Sequence, residues 1–153
     1  MGSSSVWCGG SLVNSEWVLT AAHCTDGQTA GDIEILLGEH ETGHNTDETE
    51  LHRSAVAEIV QFPNYNDQTV DGDYSMLRLA TPVDFFKQSS SHIRPVCLPE
   101  DDSQTYAGED TLVTGWGTTS SGGSTSTVLR EVTVGVISNQ VKTCSYHEEI
   151  CFS

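Results

Sequence analysis

The chain has 153 residues, with 22 Asp and Glu against 6 Lys and Arg, giving a formal charge of −16. So acidic a surface excludes a sequence-independent grip on nucleic acid, which needs Lys and Arg to neutralise phosphates. It equally excludes docking on an anionic membrane face, and no apolar run approaches the roughly 20 residues of a membrane-spanning helix.

Taken in chain order, short strand-like runs alternate with turn residues. Gly10-Ser11-Leu12-Val13 meets a turn at Asn14-Ser15-Glu16, and Trp17-Val18-Leu19-Thr20 returns. Residues 33–37 form a compact apolar run. Residues 55–60 and 74–79 read as two further strands, separated by the turn Pro63-Asn64-Tyr65-Asn66. Residues 129–137 alternate cleanly. No segment sustains a 3.6-residue period over several turns, so the chain reads as all-β. Pro95, Pro99 and the polar stretch 100–104 mark a connector between two β units. The small-residue stretch 118–126 is a flexible loop by composition.

Five cysteines punctuate this pattern: Cys8, Cys24, Cys97, Cys144 and Cys151. None has the spacing of a zinc ribbon or a thioredoxin-type site. Separations of sixteen and seven residues suit two local disulfides, Cys8–Cys24 and Cys144–Cys151, leaving Cys97 over. Disulfides imply an oxidising compartment and therefore secretion. Yet Met1-Gly2-Ser3-Ser4-Ser5 has neither the basic region nor the apolar region of a signal peptide. A missing N-terminal portion reconciles the two observations and would offer Cys97 a disulfide partner. The alternative is that Cys97 is a buried free thiol.

The most informative segment is Trp7-Cys8-Gly9-Gly10-Ser11-Leu12 followed by Trp17-Val18-Leu19-Thr20-Ala21-Ala22-His23-Cys24. A histidine placed next to a disulfide at the end of a strand is a histidine held in position. A general base must be held within hydrogen-bond reach of its nucleophile. Read alone, His23 could equally be an ordinary loop histidine. Four later segments follow in order: Asp71-Gly72-Asp73-Tyr74-Ser75-Met76-Leu77-Arg78-Leu79, Ile93-Arg94-Pro95-Val96-Cys97-Leu98-Pro99, Val113-Thr114-Gly115-Trp116-Gly117 and Leu129-Arg130-Glu131-Val132. Together the five segments resemble the chymotrypsin/trypsin-like serine endopeptidases.

The resemblance implies a trypsin-like double β-barrel, incomplete, with the first barrel nearly whole and the second about half present. Residues 1–6 then lie outside the family pattern and 7–92 form the first barrel. Residues 93–106 are the connector and 107–153 the partial second barrel. It implies peptide-bond hydrolysis by a Ser-His-Asp triad, with His23 as base and Asp73 as the carboxylate that orients it. Asp73 is preferred to Asp71 because it directly precedes the strand, as the family aspartate does; Asp71 reads as a solvated turn residue. Polypeptide substrates and protein inhibitors are the implied partners, without nucleic acid or membrane, and the implied location is extracellular.

No Gly-Asp-Ser-Gly-Gly segment, where this family keeps its nucleophile, occurs in the sequence. Ser121-Gly122-Gly123 imitates part of it, but a flexible Gly/Ser loop cannot hold a preorganised oxyanion hole. The chain is therefore read as a middle piece that does not hydrolyse peptide bonds by itself and, with open sheet edges, is poorly stable. The loop between Cys144 and Cys151 is also shorter than the family's. Two rival readings stand beside this one: a non-catalytic homologue serving as a binding or regulatory module, and a truncated chain with no independent function. Retention of both His23 and Asp73 argues against the first rival.

Two metal motifs remain. His40-Glu41-Thr42-Gly43-His44 matches the HExxH of zinc peptidases, but that chemistry needs both histidines on one helix face, and nothing here predicts a helix. Between Cys24 and His52 lie eight acidic residues and no Lys or Arg. The resemblance implies a calcium loop starting at Leu37-Gly38-Glu39, with carboxylates from Glu39 and from Glu48 or Glu50. The alternative is a solvated acidic loop. No cofactor is required for the implied chemistry.

Overall fold

The computed structural model describes residues 6–42, 51–87, 90, 92–101 and 103–138. Seven strands are formed among these residues: β1 (Ser11–Leu12), β2 (Trp17–Thr20), β3 (Glu34–Leu37), β4 (His52–Gln61), β5 (Ser75–Leu79), β6 (Asp110–Gly115) and β7 (Arg130–Gly135). Among the described residues the helical elements are a single turn, α1 (Ala22–Thr25), and a 3-10 turn at Ala30–Asp32. Among the described residues no helix is long and apolar enough to cross a membrane.

The described residues divide into two compact units, one of residues 6–39 and 51–98, the other of 40–42 and 99–138. In the first, five antiparallel strands in the order β1-β2-β5-β4-β3 form a curled half-barrel sheet. Its inner face follows from the two-residue period of the strands. Ser75, Leu77 and Leu79 of β5 are buried while Met76 and Arg78 between them are half-exposed. Leu77 pairs with Val18 on one side and Ile59 on the other. With Leu12, Ile33, Val56, Val83 and Ile93 these side chains make the core. Each fully buried Leu, Val or Ile contributes about 1.5–3 kcal/mol.

The alternation in β4 is broken once, and usefully. Val56 pairs with Leu79 and Glu58 with Arg78, so Ala57 is an extra residue in a β-bulge. The bulge lets Val56 and Ile59, three residues apart, both face inward, and leaves Glu58 outside. There its carboxylate accepts a 3.0 Å hydrogen bond from Arg78 Nε. A strand without the bulge could place only one of the two apolar residues on the core side.

The second unit is a two-stranded antiparallel sheet, β6 against β7, with Val113 opposite Val132. Residues 40–42 belong to it: Glu41 forms a bridge with Val128, and the backbone N–H of Leu129 donates to the His40 carbonyl. Leu112 and Val132 are about half exposed, and no hydrophobic residue among the described residues of this unit is buried. Two strands by themselves supply too little burial to be independently stable.

Candidate active site

β2 ends at Thr20, and the chain turns through α1. The short turn buries Ala22, Cys24 and Thr25. His23, on the opposite side of that turn, is thrown outward with its side chain 60% exposed. The turn is closed locally: Asp26 N–H and the Thr25 hydroxyl both donate to the Ala22 carbonyl. Next to His23, Cys24 is bonded to Cys8. The Thr20 hydroxyl donates to the Gly9 carbonyl at 2.8 Å, tying the end of β2 to the residue that follows Cys8.

Fifty residues later, Asp73 reaches the same place. Its Oδ1 accepts the His23 backbone N–H at 2.8 Å, and its Oδ2 lies 2.7 Å from His23 Nδ1. An ionised carboxylate only accepts, so Nδ1 carries a proton and, in the neutral imidazole, Nε2 keeps its lone pair. Nε2 lies 3.5 Å from Cys24 Sγ. Burial of the Asp73 side chain, 17% exposed, pushes its carboxyl up. The hydrogen bonds from the His23 ring and backbone, attraction to the imidazole and a hydrogen bond from the Ala22 backbone outweigh this and hold it below the ordinary value.

Asp73 lies at the end of a loop, residues 62–74, that bonds largely to itself. Asn66 Oδ1 accepts the N–H groups of Gln68 and Thr69, and the Asn66 N–H donates to the Asp71 carbonyl. The Val70 N–H donates back to the Asn66 carbonyl. Asp71 faces away from the histidine into this network, its Oδ2 accepting from the Thr69 hydroxyl at 2.8 Å. Asp73 is thus the carboxylate that meets His23, and Asp71 is a turn residue. A tyrosine read in the sequence only as part of a turn belongs beside this pair. Burial raises the Tyr65 hydroxyl above its ordinary value, and the charges of Asp73, Asp26 and Asp67 raise it further. Only folding brings the charges of Asp26 and Asp73 to Tyr65, so no local motif marks it.

A comparison with known proteins settles the lineage. The family model described as Trypsin matches residues 1–153. The chain belongs to the trypsin family. Among curated relatives, the serine proteinase stubble of Drosophila melanogaster is 38% identical over 137 residues, covering 90% of this chain and 17% of that protein. The trypsin of Sus scrofa is 36% identical over 153 residues, covering 98% of this chain and 60% of that one. The vitamin K-dependent protein C of Mus musculus is 41% identical over 113 residues, covering 72% and 23%. The chain therefore spans less than two thirds of the length of each of these relatives.

Within the trypsin family frame, the remaining candidate residues take definite places. Cys8, His23 and Cys24 offer donor atoms within 4.8 Å of one another. The two sulfurs are joined in the disulfide, however, and a cystine supplies no thiolate for a metal. The start of the HExxH match is not helical, since Glu41 sits in its bridge with Val128 and the Thr42 N–H donates to the Thr127 carbonyl; His44 lies outside the described residues. Ser121-Gly122-Gly123 is an exposed turn, closed by the Gly123 N–H to the Ser120 carbonyl and flanked by the Thr118–Thr125 bridge. Glu39 is half-buried just after β3. Its expected companions Glu48 and Glu50 lie outside the described residues, as do Cys144 and Cys151. Cys97 is free and exposed. That corrects the reading of a buried thiol: the segment is tied to β1 through the Val96 N–H, which donates to the Leu12 carbonyl, but the Cys97 side chain is left on the solvent side.

Proposed function

We propose that this chain carries the general base and the orienting carboxylate of a serine endopeptidase, His23 and Asp73. The observation behind the reading is the two-point hold of Asp73 on His23. One oxygen fixes the backbone and the other fixes the ring, which sets the tautomer and leaves Nε2 free to accept a proton. In the reaction, a serine hydroxyl gives its proton to Nε2 as its oxygen attacks the substrate carbonyl. Asp73 stabilises the imidazolium so formed, and Nε2 then hands the proton to the leaving amine. The substrates are polypeptides, protein inhibitors are fitting partners, and the setting is extracellular, in keeping with the Cys8–Cys24 disulfide.

No Gly-Asp-Ser-Gly-Gly occurs in the 153 residues, so the serine comes from sequence outside them and the chain alone does not hydrolyse peptide bonds. The parent gene decides between the readings. Expression of its full product should give amide hydrolysis that an active-site serine reagent abolishes. A Gly in place of the serine would make the protein a non-catalytic binding module instead, and labelling of the purified 153-residue chain by the reagent would refute its inactivity.

Two smaller elements complete the proposal. Cys97, free and exposed, is available for a disulfide to an N-terminal segment of a longer product. The carboxylates of Glu39 and Glu50 are hard oxygen donors of the kind Ca²⁺ takes, and they would hold a structural calcium between the ends of one acidic loop. Calorimetric titration of the full product with Ca²⁺ should show saturable heat that Glu39→Gln removes; absence of any heat sinks the calcium site.

A further inference from the structure

The residue before the orienting aspartate is a glycine, and its surroundings leave no room for anything else. Gly72 has φ +67°, and a Cβ added there would lie 2.5 Å from Phe62 Cδ1 and 2.8 Å from Cε1. Carbon atoms do not approach that closely, so any side chain at 72 has to push the Phe62 ring away. The ring is not free to retreat. It is stacked on Tyr74, with centroids 4.4 Å apart and an angle of 29° between the planes. The backbone repeats the contact, since the Phe62 N–H donates to the Tyr74 carbonyl at 3.1 Å. Between Gly72 and Tyr74 the chain makes a three-residue turn, the Tyr74 N–H donating to the Gly72 carbonyl at 2.8 Å. Asp73 is the apex of that turn.

We infer that Gly72 and Phe62 are positioning residues for the His23–Asp73 pair. The ring of Phe62 braces both neighbours of Asp73 at once, with Cδ1 and Cε1 filling the space a side chain on Gly72 would need and its face stacked on the ring of Tyr74. This fixes the apex of the turn, and with it the two carboxylate oxygens that meet His23. Neither Gly72 nor Phe62 touches the reacting atoms; both act through Asp73. The inference rests on the dyad reading above and adds to it what holds the carboxylate in register.

The test reads the tautomer of His23 in the 153-residue chain labelled with ¹⁵N-histidine, where ring ¹⁵N shifts report which nitrogen carries the proton. Dispersed methyl signals of Leu77 and Leu79 serve as the check on folding. Four variants are compared with the wild type: Asp73→Asn, Gly72→Asn, Phe62→Ala and the double Phe62→Ala/Gly72→Asn. Asn is chosen because it tolerates a left-handed backbone, so Gly72→Asn isolates the contact with the ring. The expected result is that Gly72→Asn lowers the ratio of Nδ1–H to Nε2–H tautomer about tenfold, the scale of one lost charge-assisted hydrogen bond. In the Phe62→Ala background the same substitution should change nothing further, because the ring it collides with is gone.

A wild-type tautomer signature in folded Gly72→Asn overturns the inference. If Gly72→Asn unfolds the chain, the double variant decides: folding like Phe62→Ala alone upholds the ring contact, and failing to fold overturns it. An unchanged signature in Asp73→Asn overturns the dyad itself and the positioning role with it. A changed signature there beside an unchanged one in Gly72→Asn overturns the positioning role alone.

Discussion

Asp73 holds His23 at two points, accepting the backbone N–H through Oδ1 at 2.8 Å and facing ring Nδ1 through Oδ2 at 2.7 Å. The two contacts do different work. The backbone bond locates the residue, and the ring bond selects the tautomer and rotamer. An imidazole 60% exposed would otherwise sample several orientations, since exposed rotamers interconvert in picoseconds to nanoseconds.

Activity should separate the two neighbouring aspartates. In a serine-bearing full product, Asp73→Asn should lower kcat about 10⁴-fold, a magnitude carried over from the serine-protease triad itself. Asp71→Asn should stay within a few-fold, because Asp71 bonds Thr69 rather than His23. Steady-state hydrolysis of a peptide amide measures both. Equal losses would refute the assignment of Asp73.

Acid should weaken the fold through the same carboxylate. The folded-state value of Asp73 lies below its ordinary 3.8, so the unfolded chain binds the proton more readily. The resulting stability is fully present above the ordinary value and is lost as pH falls through the folded one. Asp32 and Asp101 are also lowered, by hydrogen bonds from Thr29 and Ser103, but they remain in an Asp73→Asn variant. Urea midpoints of the wild type and Asp73→Asn should therefore differ by a constant amount above about pH 5 and converge below pH 4. Parallel curves down to the lowest pH would show that Asp73 is not linked to folding.

Removing the Cys8–Cys24 bond should cost about 3 kcal/mol, the chain-entropy value for a loop of this size, which here spans a separation of 16 residues. Denaturant unfolding of Cys8→Ala/Cys24→Ala against the wild type measures it. A change well under 1 kcal/mol would mean that the closed loop is already ordered without the bond.

One residue of the aspartate loop is under backbone strain. Val70 is β-branched, yet it sits at φ 61°, a left-handed conformation that costs an L-residue about 1–2 kcal/mol. Its N–H donates to the Asn66 carbonyl at 2.7 Å, which keeps it there, while its side chain is 42% exposed and gives up little packing. Val70→Asn should therefore stabilise the chain by about 1 kcal/mol and raise the thermal midpoint by several degrees. A lower midpoint would show that the valine side chain matters more than the strain.

Much of this arrangement is legible in the residues. Alternating apolar positions place β5 and its inward Leu77 and Leu79 without reference to any other strand, because the side-chain period of a strand is a local property. The spacing suits the Cys8–Cys24 bond, and the family resemblance singles out His23. The preference for Asp73 over Asp71 comes from the same resemblance, since the family's aspartate directly precedes such a strand. Strand ends are less legible. The sequence suggests 55–60 for β4, which runs from His52 to Gln61, because hydrogen bonding to β3 and β5 extends a strand past its apolar centre.

What the sequence determined by itself is therefore the list of parts: β segments, a disulfide, a histidine and an aspartate in the trypsin family's order. Tertiary structure decided how the parts meet. It brought residues fifty positions apart to 2.7 Å and set residues 40–42 against 127–129. It also laid Phe62 against Gly72 and Tyr74 and brought the Tyr65 hydroxyl within reach of the charges of Asp73 and Asp26. The physical reason is range. Periodicity and spacing act within a strand or a loop, whereas the angle and distance between His23 and Asp73 depend on the register of β2 against β5, which many weak contacts fix together and no single motif encodes.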